Sequence, residues 1–452
     1  MAAFDAPQGA ATTQAPSISA DEFTARRRAL MDAAGPDAVI IVPSASEQVR
    51  NRDVHYPFRQ DSDFRYLTGF NEPDAVAVLA PGHDDGEFHV FCRPRDRERE
   101  IWDGLRAGPE GVKARHGADQ GHPLDALDTV IARLLRGRSR IVYTLGLSTT
   151  WDQRVLGWVN SLRAASRRGP AAPESIISLE ATLHEQRLIK STGELAMMAH
   201  ASRVSAEAHC RAMRACKPGM TEYQVAAEIH HSFAMARMEP AYESIVGGGA
   251  NACILHYREN DAVLGDGDLL LIDAGAEYDG YCADITRTFP VNGRFTGEQR
   301  AIYDIVLDAQ LASIDAVRVG KRHQDDVHMA SVRTITQGLV DLGMLTGAVD
   351  ALIEDEAYKT YFMHGTGHWI GMDVHDVGAY YDDGQSRQLA AGMVLTVEPG
   401  IYVAAGTSGA DERFWNIGVR IEDDVVVTEG EPRILTDAVP KRAEDVEALM
   451  AG

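Results

Sequence analysis

The chain has 452 residues, of which 45 % are hydrophobic, and its 44 Lys+Arg against 67 Asp+Glu leave a formal charge of −23. That apolar content is ample for a sizeable core, so whole-chain disorder is excluded, and length alone suggests two to four domains. The acidic surplus excludes a protein whose main partner is a nucleic-acid backbone or an anionic membrane, and no run of about 18 apolar residues predicts a membrane span.

Residues 1–20 are small, polar and Pro-containing and read as a flexible tail; they have neither the basic start nor the apolar stretch of a signal peptide. A helix is predicted over Asp21–Ala34, then strands in AVIIVPSA, DAVAVLAPG, EFHVFCRP and RIVYTL, with a further helix over Asp125–Leu135. Strands alternating with helices imply an α/β N-terminal domain, 21–182. The stretch RRGPAAPES (Arg167–Ser175) reads as a linker. From 183 to 452 the pattern mixes long helices with antiparallel-type strands and reads as α+β. Helices are expected over Ser191–Cys216, with a polar start at Thr192, over Thr221–Arg237 with Thr221 and Gln224 at capping-box spacing, near Thr296–Val319 and over Gln324–Leu342. DLLLIDAGAEY, VLTVEPGIYV and VRIEDDVVVT read as strands. Five cysteines with no C-x-x-C pair fit free thiols in a reducing cytoplasm.

The densest chemical signal is LLLIDAGAEYDGYCADITRTFP. Asp279-Gly280 between alternating runs predicts a two-residue hairpin. Tyr278 then faces Tyr281, Gly275 faces Asp284, and Asp273 stands two residues further along the same face. Diagonal neighbours of this kind have Cβ atoms within about 7–8 Å, close enough to share a metal ion. Most Asp residues belong to turns or solvated faces. Asp273, however, ends an apolar run, where an ionised carboxylate needs a cation or several donors.

MHGTGHWIGMDVHDVG carries His364, His368 and His375. Gly365 and Gly367 break the helical spacing of the first two, so this is a glycine-rich loop rather than a helical zinc motif. Further on, Glu398 ends an apolar run before Pro-Gly, and period two places Arg420 and Glu422 on one strand face. A cross-strand surface ion pair is the common explanation of such a pattern, and carboxylates on otherwise apolar strands are also what a metal site requires. Asp273, Asp284, His368, Glu398 and Glu422 together offer four oxygen donors, one nitrogen and no thiolate, a set that favours Mn²⁺-like ions over structural zinc. Four negative charges suit two ions about 3.5–4 Å apart that hold a bridging water or hydroxide.

These residues resemble the pita-bread metallopeptidases, and most closely the aminopeptidase P (Xaa-Pro aminopeptidase) family. The resemblance rests on YPFRQDSDFRYLTGFNEPDAV and REREIWDGLRAG in the first half. In the second half it rests on HEQRLIKS, CILHYREND, LIDAGAEYDGYCADITRTFPVNG, FMHGTGHWIGMDVHDVGAY, GMVLTVEPGIY and GVRIEDD. It implies a pita-bread catalytic domain over 183–452 with two divalent ions, Mn²⁺ first and Co²⁺ or Zn²⁺ as alternatives. Asp273 would bind one ion, Asp284 and Glu422 both, and His368 and Glu398 the second. Glu398 would also be the general base, with His256 near the scissile nitrogen, His375 near the carbonyl and His364 lining the proline pocket. Arg420 would orient carboxylates. Trp102, reaching in from a neighbouring subunit, and Arg387 would form the substrate entrance. The implied activity is release of the N-terminal residue from peptides with proline second, by a cytoplasmic homo-oligomer (dimer or tetramer) with no nucleic-acid or membrane partner.

The sequence departs from the family pattern at Gly367, where a serine is expected, and at Phe414-Trp415-Asn416, which could reshape the pocket. The competing readings are a prolidase restricted to Xaa-Pro dipeptides and, in another class, a catalytically silent pita-bread binding module. A metal-free creatinase-like hydrolase would lack the five ligands.

Overall fold

The computed structural model describes residues 15–168 and 171–452; most of the expected tail, residues 1–14, and two residues of the expected linker lie outside them. The last tail residues are part of the body. Ile18 packs on the core, the Tyr278 hydroxyl donates to the Pro16 carbonyl at 3.2 Å, and Ser19 accepts from the Glu22 amide to start the helix Ala20–Ala34.

The N-terminal half is built on a six-stranded sheet in the order Gln120–Pro123, Phe88–Cys92, Val76–Leu79, Ala38–Pro43, Arg140–Val142, Ser175–Ile177. Its middle strands pair antiparallel and its outer ones parallel. The reason AVIIVP is apolar throughout is that both faces are covered. Ile40 and Val42 join Leu30 and Phe64, while Val39 and Ile41 join Ile131 and Trp158. Each such side chain contributes about 1.5–3 kcal/mol by leaving water. Ser175, the last residue of the expected linker, opens the strand Ser175–Ile177, which forms the sheet edge beside Arg140–Val142. The expected break at Thr182 falls inside an unbroken helix, Glu180–Leu188, whose Leu183 is fully buried. The two halves share one apolar cluster: Leu30, Phe64 and Leu183 pack with Met197, Tyr281 and Met372.

In the second half helices surround antiparallel strand pairs. Full capping boxes start two of them, Ser191/Glu194 at Thr192–Ala215 and Thr296/Gln299 at Gly297–Asp315, while at Glu222–Met235 only the bond from Thr221 N to Gln224 Oε1, at 3.0 Å, is made. The cap is therefore Ser191, one residue ahead of the polar start expected at Thr192. The helix expected from Gln324 opens as a π turn, His323–His328, before continuing as Met329–Asp341; His328 lies 2.8 Å from the Thr366 hydroxyl.

The hairpin register is as the Asp-Gly turn predicts. Tyr278 pairs with Tyr281 and Asp273 with Thr286, and both turn residues have positive φ, 51° at Asp279 and 91° at Gly280. At Gly275 the strands approach so closely that a Cβ would lie 1.7 Å from the Ala283 carbonyl oxygen. The three strands expected to be continuous are each interrupted, giving Leu269–Asp273 then Ala276–Tyr278, Val394–Val397 then Gly400–Val403, and Ile417–Arg420 then Asp423–Val426. Asp273, Glu398 and Glu422 stand at the interruptions. Where the chain leaves one sheet for another, a side chain is freed from the pleat and can turn toward a neighbour.

Candidate metal centre

These interruptions face one cavity of about 640 Å³. Its lining includes Asp273, Asp284, His368, Glu398 and Glu422, and also His256, His364, His375 and Arg420. Donor atoms of Asp284, His368 and Glu422 all lie within 4.8 Å of one another. His368 Nε2 is 3.6 Å from Asp284 Oδ2 and 3.6 Å from Glu398 Oε1. Asp273 ends its strand against Arg420, whose Nη2 donates to Oδ2 at 2.6 Å.

The glycine loop adds itself to the edge of the strand Val394–Val397. His368 N donates to Thr396 Oγ1 at 3.0 Å, and Thr396 N to the His368 carbonyl at 2.9 Å. A Cβ at Gly367 would sit 1.9 Å from the Thr396 carbonyl oxygen, which explains glycine where serine was expected. His368 Nδ1 is 3.0 Å from the Trp369 carbonyl, so that nitrogen carries a proton and Nε2 is the atom turned toward the carboxylates, the one a cation would take. In His364, Nδ1 donates to the Gly365 carbonyl at 2.7 Å and Nε2 accepts from the Tyr402 hydroxyl at 2.8 Å. Burial and the nearby Arg420 charge push its pKa down to about 4, which keeps the ring neutral. His256 and His375 are exposed on the cavity wall, and the rings of His375 and His368 lie 4.3 Å apart.

Several contributors were not anticipated. The Tyr242 hydroxyl lies 2.6 Å from Asp273 Oδ1 and contacts Asp284 Oδ1 as well. Thr286 donates to Glu422 Oε2 at 2.6 Å, and Thr396 to Glu398 Oε1 at 3.2 Å. Asp424 accepts from the Asp284 amide at 3.1 Å. The alternation of Asp284, Thr286 and Thr288, the last two on the strand Thr286–Pro290, could have revealed Thr286. Tyr242 lies 31 positions before Asp273, and no spacing rule reaches it.

The donor set fits divalent cations. Burial and mutual repulsion raise the carboxyl pKa values, to about 7 for Glu398 and well above the usual range for Glu422. Burial alone would lower His368, yet the hydrogen bond and charge of Asp284, with Glu398, lift it to about 9. A hydroxyl has one proton to give, so Tyr242 can serve only one of the two carboxylates it touches. Without a cation the cluster therefore keeps protons, on its raised carboxyls and on His368 beside them. Divalent cations would supply the positive charge those protons bring.

Two expected residues stand apart. Trp102 and Arg387 do not line the cavity of their own chain. Trp102 is 82 % exposed on the short helix Arg97–Asp103, and Arg387 is held by both oxygens of Glu185, at 2.7 and 2.6 Å. Nor do Phe414, Trp415 or Asn416 line it. Phe414 fills the core beneath the Gly400–Arg420 hairpin, and Asn416 takes a left-handed turn with φ 61°.

Comparison with known proteins agrees with this geometry. The profile "Metallopeptidase family M24" matches residues 196–429, and "Aminopeptidase P, N-terminal domain" matches residues 23–143. The chain belongs to metallopeptidase family M24. Among its relatives, the Xaa-Pro aminopeptidase of Escherichia coli K12 is 46 % identical over 435 residues, 96 % of this chain and 98 % of that protein. The structure of Pseudomonas aeruginosa aminopeptidase PepP superposes with a TM-score of 0.94 at 51 % identity, covering 96 % of this chain and 98 % of the other. Zn-substituted E. coli aminopeptidase P in complex with product gives 0.92 at 45 % identity, with 96 % and 98 % covered. The M24 match contains all five candidate ligands.

Proposed function

We infer that the chain is an Xaa-Pro aminopeptidase, a metal-dependent enzyme that releases the N-terminal residue of peptides with proline at the second position. The observation that carries this reading is the convergence of Asp273, Asp284, His368, Glu398 and Glu422 on one cavity in a family M24 chain. Asp273 would hold one ion, Asp284 and Glu422 both, and His368 and Glu398 the other; the 4.8 Å grouping of Asp284, His368 and Glu422 supports that division. When bound, a pair of divalent ions polarises the scissile carbonyl and acidifies water at neutral pH.

The protein groups do the rest. Arg420, fixed by Thr286 and Tyr402, orients Asp273. Glu398, with Oε1 held by Thr396, accepts the proton of the attacking water. His375 faces the carbonyl as negative charge develops on its oxygen, and His256 the departing nitrogen. The neutral His364, braced by Tyr402, walls the proline ring. A proline imide has no N–H, so an enclosed ring pocket does what an amide hydrogen bond does elsewhere.

The oxygen-rich donor set supports Mn²⁺ as the resident ion, with Co²⁺ or Zn²⁺ able to substitute. The exposed Ile101, Trp102 and Leu105 support assembly with further copies, a dimer or tetramer, in which Trp102 reaches a neighbour's cavity. For Arg387 to join the entrance, its pair with Glu185 must open. Five unpaired thiols support a cytoplasmic setting.

Comparing an Xaa-Pro-Xaa tripeptide with the matching Xaa-Pro dipeptide, with added Mn²⁺, tests the reading. Release of the first residue from the tripeptide is expected. Cleavage of the dipeptide alone would make the chain a prolidase, and no cleavage of either would make it a silent binding module.

A further inference from the structure

The motifs HEQRLIKS and YPFRQDSDF resemble the family without supplying a candidate metal ligand, although Arg59 of the second lines the cavity, and Arg187 and Asp63 bring them together beside His375. That histidine sits in Gly371–Asp376, a segment with neither helix nor strand to fix it. Backbone bonds tie its ends, from Cys282 N to the Gly371 carbonyl and from Asp376 N to the Trp369 carbonyl, both at 2.8 Å, and charge holds the stretch around His375. Arg187, from the helix Glu180–Leu188 and only 3 % exposed, reaches three carboxylates with its fork. Nη1 donates to Asp63 Oδ1 of the N-terminal half at 2.7 Å. Nη2 donates to Asp373 Oδ2 at 2.7 Å and Asp376 Oδ1 at 2.6 Å. Lys190 donates to the other oxygen of Asp376 at 2.8 Å, and Ser62 to Asp373 Oδ1 at 2.7 Å. Gly371 leaves the room this requires, since a Cβ there would lie 2.2 Å from Asp376 Oδ2.

Asp373 and Asp376 flank His375 in the chain, and both end on one guanidinium anchored in the other half of the protein. We propose that Arg187 is a positioning residue for His375: it makes the docking of the N-terminal half set where that imidazole stands on the cavity wall. This rests on the reading of His375 as the group facing the scissile carbonyl. A lysine would keep the buried charge but has no planar fork to span three carboxylates. Supporting groups of this kind matter because small displacements of a catalytic side chain cost rate steeply.

The test is a double-mutant cycle on the metal-loaded enzyme with an Xaa-Pro tripeptide, using Arg187→Lys, His375→Ala and the pair. Arg187→Lys should lower kcat about 10- to 100-fold, with KM and metal content unchanged. In the His375→Ala background the same substitution should cost less than about two-fold, because the group it positions is gone. Ser62→Ala removes only the hydroxyl that donates to Asp373. It should give a smaller kcat loss with the same non-additivity, so the cycle stands even if Arg187→Lys folds poorly. Full additivity in both cycles, or an unchanged kcat in both single variants, would overturn the proposal. Normal turnover by His375→Ala would overturn the reading of the site and the proposal with it.

Discussion

Tyr242→Phe removes one oxygen and leaves the ring that fills the site. The lost hydroxyl lies against Asp273 and Asp284. Asp273 keeps its 2.6 Å bond from Arg420, so the loss falls on Asp284, whose other oxygen has only His368 Nε2 at 3.6 Å. A hydrogen bond to a charged group contributes about 1.5–3 kcal/mol net, equivalent to about 10- to 100-fold in an equilibrium constant. Second-layer hydrogen bonds around metal ligands commonly have effects of the same size on metal affinity. Titrating the metal-free protein with Mn²⁺, by calorimetry or chelator competition, should therefore show binding weakened about 10- to 100-fold. An Mn²⁺ affinity within two-fold of wild type would refute the view that Tyr242 orders Asp284.

Gly275→Ala places a methyl 1.7 Å from a backbone oxygen between the two aspartates. It should destabilise the fold by at least about 3 kcal/mol and weaken metal binding; an unchanged Tm would contradict the tight crossing of the strands. His209, buried behind Asp273 with Nε2 2.9 Å from the Ala274 carbonyl, has its pKa pushed down to about 4 by burial. Unfolded, it takes up a proton below about 6.5, so its contribution to stability is full above that pH and is lost as pH falls toward 4. Tm of the metal-free protein should drop over that window, less steeply by one proton in His209→Gln; identical slopes would refute the assignment.

Much of the site is legible in the sequence because a two-residue hairpin has little freedom. Once Asp279-Gly280 is the turn, the positions of Asp273 and Asp284 follow, and the register bears this out through Asp273 and Thr286. Apolar runs ending in a lone carboxylate marked Asp273 and Glu398 for the same reason that a buried charge needs compensation. What could not be read was where strands stop. VRIEDDVVVT has an uninterrupted β pattern, yet the chain changes sheets at Ile421-Glu422, because Glu422 N bonds to the Thr286 carbonyl rather than continuing the ladder with Gly400–Val403. Partners distant in sequence were equally hidden. Tyr242 is 31 and 42 positions from its aspartates, and the pairing of Arg387 with Glu185 spans 202 positions. The Gly/Pro-rich stretch before Ser175 looked like a boundary, but local composition cannot reveal that the next residues return to the sheet as its edge strand.

The central claim is that Asp284 belongs to a two-ion centre that performs peptide hydrolysis. Its most direct test is Asp284→Ala, assayed for Mn²⁺ stoichiometry and for hydrolysis of Xaa-Pro peptides of increasing length. Wild type should take up two ions per chain and release the first residue. The variant should stay folded, hold fewer than two ions and lose essentially all turnover. Near-normal turnover by Asp284→Ala would contradict the account.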